Sequence, residues 1–291
     1  MKFTPLNVVE GGERDESYGN TAELIKAIRI GFDAVASKFI APDGNTVDYD
    51  ALKDSSEWKE LLLKCHQLTY VDLHGLNSRE RLCFFINLYN IMNLHGMLTY
   101  GEPDGWIDRL RYYANCSYVV GGLKFTLDNI EHGMLRGNKR VPFYMKNLSS
   151  TDPRTKFRIH PMDPRVHFAI NCGAKSCPPI RVYTVDKLDD QLDRAARGYM
   201  AQYTEVDEDK HSIKTTLVHW LYQGDFSDKV GRKRNMDGAM AWSLAYLSDE
   251  TKEKVERMLQ RKKKSIKYLY FDYDWTSNSS KNKLNDTSAR C

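Results

Sequence analysis

A chain of 291 residues, 41% of them hydrophobic, is long enough to bury a substantial core. Its 43 basic and 39 acidic residues leave a net charge of only +4, which gives no ground for a nucleic-acid binder. The N-terminus lacks a long apolar stretch and the most apolar run, Leu82 to Leu98, is broken by Asn87, Asn90, Asn93 and His95, so the expectation is a cytoplasmic protein with neither signal peptide nor transmembrane segment.

Residues 1–20 are polar and rich in glycine and charge, which predicts a flexible segment. Leu24, Ile28, Phe32, Val35 and Phe39 then recur at helical spacing after Thr21, and Pro42-Asp43-Gly44 ends that helix. Val47 to Tyr49 reads as a short extended piece before a second helix, Ser55 to Leu68, with Trp58, Leu61, Leu62 and Cys65 inward. Asn77 and Glu80 have the spacing of a capping box, so a third helix is expected from Ser78 to His95, with Gly96 just past its end. It is apolar nearly all round, yet Cys83, Asn87, Asn90 and Leu94 share one face. Buried amides need partners, so these asparagines either tie loops to the core or line a site.

Tyr118 to Phe125 reads as a β-hairpin turning at Gly121-Gly122. Thr126 can cap a short helix, Leu127 to Leu135, that carries Asp128, Glu131 and His132. On an α-helix adjacent side chains diverge by about 100°, so Asp128 can meet His132 four residues on, whereas Glu131 is not expected to. Residues 138–162 form a polar loop containing Pro142, Pro153 and Pro161. Val166 to Asn171, bounded by Pro164 and Gly173, reads as a buried strand with His167, Ala169 and Asn171 on one face. Cys172 and Cys177 fall in the turn that follows it. Val185 to Tyr203 is helical, His211 to Thr216 a strand, Leu217 to Tyr222 apolar and aromatic, and Met240 to Tyr246 and Thr251 to Lys263 the last helices. Tyr268 to Tyr273 has strand composition, and from Thr276 a disordered tail is expected over 276–291. No linker divides 21–275. The predicted fold is α+β, a helix-rich single domain with a small, mainly antiparallel sheet.

The six cysteines show no framework spacing, so reduced thiols are expected. A thiol attacks an acyl or disulfide centre only as thiolate, which calls for a base and a group that orients it. Cys172 or Cys177 can supply the sulfur; His132, His160 or His167 the base; Glu131, Asp128, Asn87 or Asn171 the orienting partner. The favoured set is Cys172 with His132 and Glu131, in a thiol-dependent hydrolase or acyl transferase of papain-like or transglutaminase-like logic. Three other readings compete. Cys172, Cys177 and His167 could share a zinc ion with a distant fourth donor; the two cysteines could be a redox pair, although the two-residue gap of thioredoxin-like motifs is absent; or the cysteines and His167 could be core residues of a non-catalytic protein-interaction or scaffolding module. Arg261 to Lys264 is a basic run at a helix end, most simply read as solvated charge. Phosphate loops and dinucleotide fingerprints are absent from the sequence, so no cofactor is expected, and the expected partner is a protein or peptide.

Five blocks, RLCFFINLYNIMNLHG, GGLKFTLDNIEHGMLRGN, DPRVHFAINCGAKSCPPIRVYT, HWLYQGDF and YFDYDW, resemble in order and spacing the domain of unknown function 547 family, across roughly Val47 to Trp275. The resemblance implies no established activity and no catalytic positions. In some members the domain follows glutaredoxin-like and DEP modules or a coiled coil, which looks like thiol chemistry or scaffolding; neither extension is present here. Where members usually have a tryptophan in the third-helix block, this chain has Phe84-Phe85.

Overall fold

The structure, a computed structural model, describes residues 3–139, 147–227, 235–261 and 265–281. Its first half is built around one helix. Helix α1 (Thr21–Phe39) starts where the Asn20 side chain accepts the Glu23 N–H, and α2 (Tyr49–Lys53) and α3 (Ser56–His66) follow, capped by Asp48 and Ser55. The capping box of Asn77 and Glu80 forms as its spacing predicts and launches α4 (Ser78–Tyr100). This helix runs one turn beyond the expected stop at Gly96. That glycine sits inside it, where α5 (Gly105–Asn115) crosses so closely that a Cβ would collide with the Tyr112 hydroxyl and the Cys116 sulfur. Of α5 only Arg109 and Tyr112 are buried, and Trp106 and Ile107 stand exposed.

Strands β1 (Ser117–Val120) and β2 (Leu123–Thr126) form the hairpin, with Gly121 and Gly122 at φ +56° and +73°, as its turn requires. A second sheet has the order β3 (Thr204–Asp207), β4 (Ser212–Thr215), β5 (Lys267–Tyr270), antiparallel and then parallel. Helices α6 (Leu188–Gln202), α7 (Leu217–Tyr222), α8 (Met236–Ser243) and α9 (Asp249–Gln260) pack with it. The result is helix-rich α+β, as expected. Two apolar clusters fill it, one around α1, α3, α4 and the hairpin, the other around α6 to α9. Residues 166–170 join them: Val166, Ala169 and Ile170 belong to the first and Phe168 to the second.

Three expectations change. The Val166 stretch is no strand but a 3₁₀ helix, Pro164–Phe168; Asp163 accepts the Arg165 N–H at 2.9 Å and Pro164 sets the first φ, a local start signal that outweighs β propensity. The N-terminal segment is docked, because buried Asn7 bonds the Val119 backbone at both ends of its amide, 2.8 Å each, and donates to the Cys65 carbonyl. Residues 277 and 278 are buried as well; Asn278 accepts the Tyr49 hydroxyl at 2.9 Å, and its N–H reaches the Gly173 carbonyl. The remaining tail, 282–291, lies outside the described residues, as do most of the basic run and part of the polar loop. Among the described residues no helix is long and apolar enough to cross a membrane.

Candidate functional site

The turn after residue 170 is pinned by asparagine side chains standing in for backbone. Asn90 of α4 donates to the Ala169 carbonyl at 3.1 Å and accepts the Asn171 N–H at 2.9 Å. Asn171 donates to the Pro178 carbonyl at 2.7 Å and accepts the Gly173 N–H at 2.8 Å, closing the loop on itself. Asn87 does the same for Tyr183, accepting its N–H at 2.9 Å and donating to its carbonyl at 2.8 Å. Among the described residues no hydrogen bond joins Asn87 or Asn171 to a histidine. They are ties.

In this frame Gly173 takes φ +87°, and Cys172 and Cys177, 6.2 Å apart at Cα, are joined as a disulfide. Here the expectation of reduced thiols fails: Asn90 and Asn171 bring the two sulfurs together, which spacing alone did not reveal. Cys177 is buried and Cys172 half-buried. The Cys172 N–H points at the Cys177 sulfur from 3.1 Å, and the Tyr273 hydroxyl lies 3.2 Å from Cys177 Sγ and 3.6 Å from Cys172 Sγ. A disulfide sulfur has no proton, so the phenol donates. Burial, with nearby tyrosines and Glu131 adding to it, holds Tyr273 well above its ordinary pKa, so it keeps that proton. Tyr273 packs at a tilt against Trp275, whose carbonyl accepts Arg109 of α5 at 2.5 Å, and backbone bonds from Lys175 to Thr276 and from Ser176 to Asp274 zip this segment to the cysteine turn. Among the described residues no histidine nitrogen is a hydrogen-bond partner of either sulfur.

The histidines serve a neighbouring buried network. Residues 129–135 wind as a π-helix, Asn129–Leu135, with the Arg136 N–H bonding the Glu131 carbonyl. The wider turn brings His132 Nδ1 within 3.7 Å of Glu131 and leaves Nε2 at 3.9 Å from Asp128, so the pair that α-helical geometry disfavours is as close as the pair that it favours. Glu131 accepts Tyr222 at 2.7 Å and Tyr89 at 3.4 Å. Arg136 donates to Asp225 at 2.5 Å and to His132 Nδ1 at 3.2 Å, and His167 Nε2 donates to Asp225 at 2.9 Å. Arginine can only donate, so Nδ1 of His132 is an acceptor already in use and its proton sits on Nε2. Burial pushes His132 down to about 4, so it is neutral. The zinc reading loses its donors, since His167 is committed to Asp225 and the two sulfurs to each other. His160 is exposed.

Residues 73–200 match the model of a family described as protein of unknown function, DUF547. Over that stretch the chain is similar to DUF547. The match is narrower than the resemblance across Val47 to Trp275: within it lie α4, the π-helix and both cysteines, while Tyr222, Asp225 and Tyr273 come from beyond the matched stretch. No curated protein and no solved structure matches the chain. The site thus joins two groups of residues. One, Glu131, His132, His167, Cys172 and Cys177, stood out by residue type and spacing. The other, Tyr273, Tyr222, Arg136, Asp225 and Tyr113, did not, although the blocks HWLYQGDF and YFDYDW hold three of them. Tyr113 links the groups: its hydroxyl donates to the Cys172 carbonyl at 3.3 Å, and it feels the charges of Glu131 and Asp128.

Asp128 gives this site a pH signature. Burial, with the Glu131 charge adding to it, pushes its carboxyl up to about 8, and its Oδ2 is buried with no hydrogen-bond partner. The folded pKa is raised above the unfolded value of about 3.9, so stability is greatest below that pH and declines as pH rises toward 8. Asp128→Asn removes the titration. The variant is expected to match the parent near pH 4 and exceed it near pH 8 in urea denaturation; an equal difference at both pH values contradicts the assignment.

Proposed function

We propose that the domain is a thiol–disulfide exchange centre, with Cys172 the sulfur that meets substrate and Cys177 its resolving partner. The observation that carries this reading is the pair of donors on Cys177: the Cys172 N–H and the Tyr273 hydroxyl stand where a departing thiolate needs them. When a low-mass thiolate attacks Cys172 Sγ, the Cys172–Cys177 bond breaks, a mixed disulfide forms on Cys172, and the electron pair goes to Cys177, whose thiolate accepts hydrogen bonds from the Tyr273 hydroxyl and the Cys172 N–H. A second thiolate attacks the sulfur bonded to Cys172 and leaves both cysteines reduced and one external disulfide. In the other direction, Cys172 thiolate attacks a disulfide in a protein or peptide and releases one of its thiols. Cys177 then attacks Cys172 Sγ, releases the second and restores the internal bond. In a cytoplasmic setting a disulfide is commonly transient and catalytic rather than a staple.

The test is alkylation of the native protein followed by mass spectrometry. Without reductant neither cysteine is labelled; with limiting glutathione Cys172 carries glutathione while Cys177 is alkylated, and with excess glutathione both are alkylated. A pair that opens only after denaturation supports instead the scaffolding reading, in which the bond is structural.

A second reading, the thiol-dependent hydrolase or acyl transferase, is favoured by one observation, the Glu131–His132 contact one tyrosine away from the cysteine turn. It requires a reduced Cys172 and a His132 released from Arg136. Acyl-ester turnover that appears on reduction and vanishes in His132→Ala separates it from exchange alone.

A further inference from the structure

Away from the cysteines, the first turns of α1 and α4 and the segment 184–187 enclose a cavity of about 410 Å³, the scale of a small-molecule site. Its α1 wall is the stripe Ala22, Ile25, Lys26 and Arg29, spaced three and four apart on one face. Ile25, Leu76, Phe84 and Val185 make it partly apolar, and Lys26, Arg29 and Lys187 make it cationic.

The charges are unevenly satisfied. Two carboxylates line the cavity, Glu80, which accepts the Asn77 N–H at 2.8 Å, and Asp186, while the Thr184 hydroxyl is buried there with no hydrogen-bond partner. Among the described residues, by contrast, no hydrogen bond or ion pair is formed by the side chains of Lys26, Arg29 or Lys187. Arg29 is half-buried as well, and a guanidinium partly withdrawn from water without a counter-charge is a standing offer to an anion, which its fork can bind through two oxygens. The floor has no such offer to make, because Asn87 spends both ends of its amide on Tyr183.

We infer that this cavity binds a small organic anion, a carboxylate or phosphate monoester with an apolar body, with Arg29 and Lys26 on the charge and Phe84, Ile25 and Val185 on the body. The site is independent of the Cys172–Cys177 exchange centre. Titrating the full chain with 8-anilinonaphthalene-1-sulfonate, an aryl anion whose fluorescence reports transfer to an apolar site, tests it. One saturable site is expected, weakened about tenfold or more in Lys26→Ala/Arg29→Ala and in the separate variant Lys187→Ala, and unchanged in Lys53→Ala/Lys59→Ala, which removes the same charge elsewhere. Displacement by phenyl phosphate alone, by benzoate alone or by both supports the proposal and says which head group is preferred. The absence of saturable binding, equal weakening in the two double variants, or failure of both competitors overturns it.

Discussion

Asp225→Ala is expected to destabilise the fold by about 3–5 kcal/mol, the cost of leaving a buried charge without its partner. Asp225 receives Arg136 and His167 in the interior and Lys139 at 3.5 Å from the surface, and Arg136 and Asp225 side chains are 3% and 2% exposed. Burial works to raise its pKa, but the His167 hydrogen bond and the charges of His167 and Arg136 outweigh it and hold the carboxyl well below the usual carboxylate range. With the folded pKa depressed, the stabilisation is complete above the unfolded value of about 3.9 and is lost as pH falls below it. The gap between parent and variant in chemical denaturation should therefore be wide at pH 7 and narrow in acid. Removing Arg136 as well, as Arg136→Leu/Asp225→Ala, should recover part of the loss, because no charge is then stranded. A cost below about 1 kcal/mol at pH 7, or a double variant worse than the two single losses together, would show that the network does not hold the α7 end against the π-helix.

The second large effect is kinetic. Cys172→Ser should abolish exchange with glutathione, since the half-buried sulfur that meets the reagent is gone, whereas Cys177→Ser should leave a Cys172 thiol that attacks oxidised glutathione, releases one glutathione thiol and stays trapped as a stable mixed disulfide. Tyr273→Phe should keep the disulfide and slow its opening by about 10²-fold, the usual range for losing a positioned hydrogen-bond donor. The measurement is the rate of opening by glutathione, read by quenched alkylation and mass spectrometry. Equal trapping in the two serine variants would remove the assigned order of attack, and an unchanged rate in Tyr273→Phe would remove the phenol from the chemistry.

Signals that are local in the chain were readable from it. The capping box of Asn77 and Glu80, the Gly121-Gly122 turn, the apolar stripe of α1 and the helix-rich α+β class all follow from residues within a few positions of each other, where spacing fixes geometry. Val166 to Phe168 misled because its residue types favour a strand, while the deciding cue, Asp163-Pro164, lies just upstream and starts a helical turn.

What the sequence by itself determined is therefore the class of the fold, the place of several main helices, and a short list of reactive residues around Cys172. Only the tertiary structure decided how those residues are used. The donors on the cysteine pair come from Tyr273, about a hundred positions downstream, and the counter-charge for Arg136 comes from Asp225, 89 positions away. No periodicity spans such distances. Those partners are set by how the two apolar clusters meet at residues 166–170, and their meeting commits His167 to Asp225 and His132 to Arg136 and hands the sulfurs to a phenol.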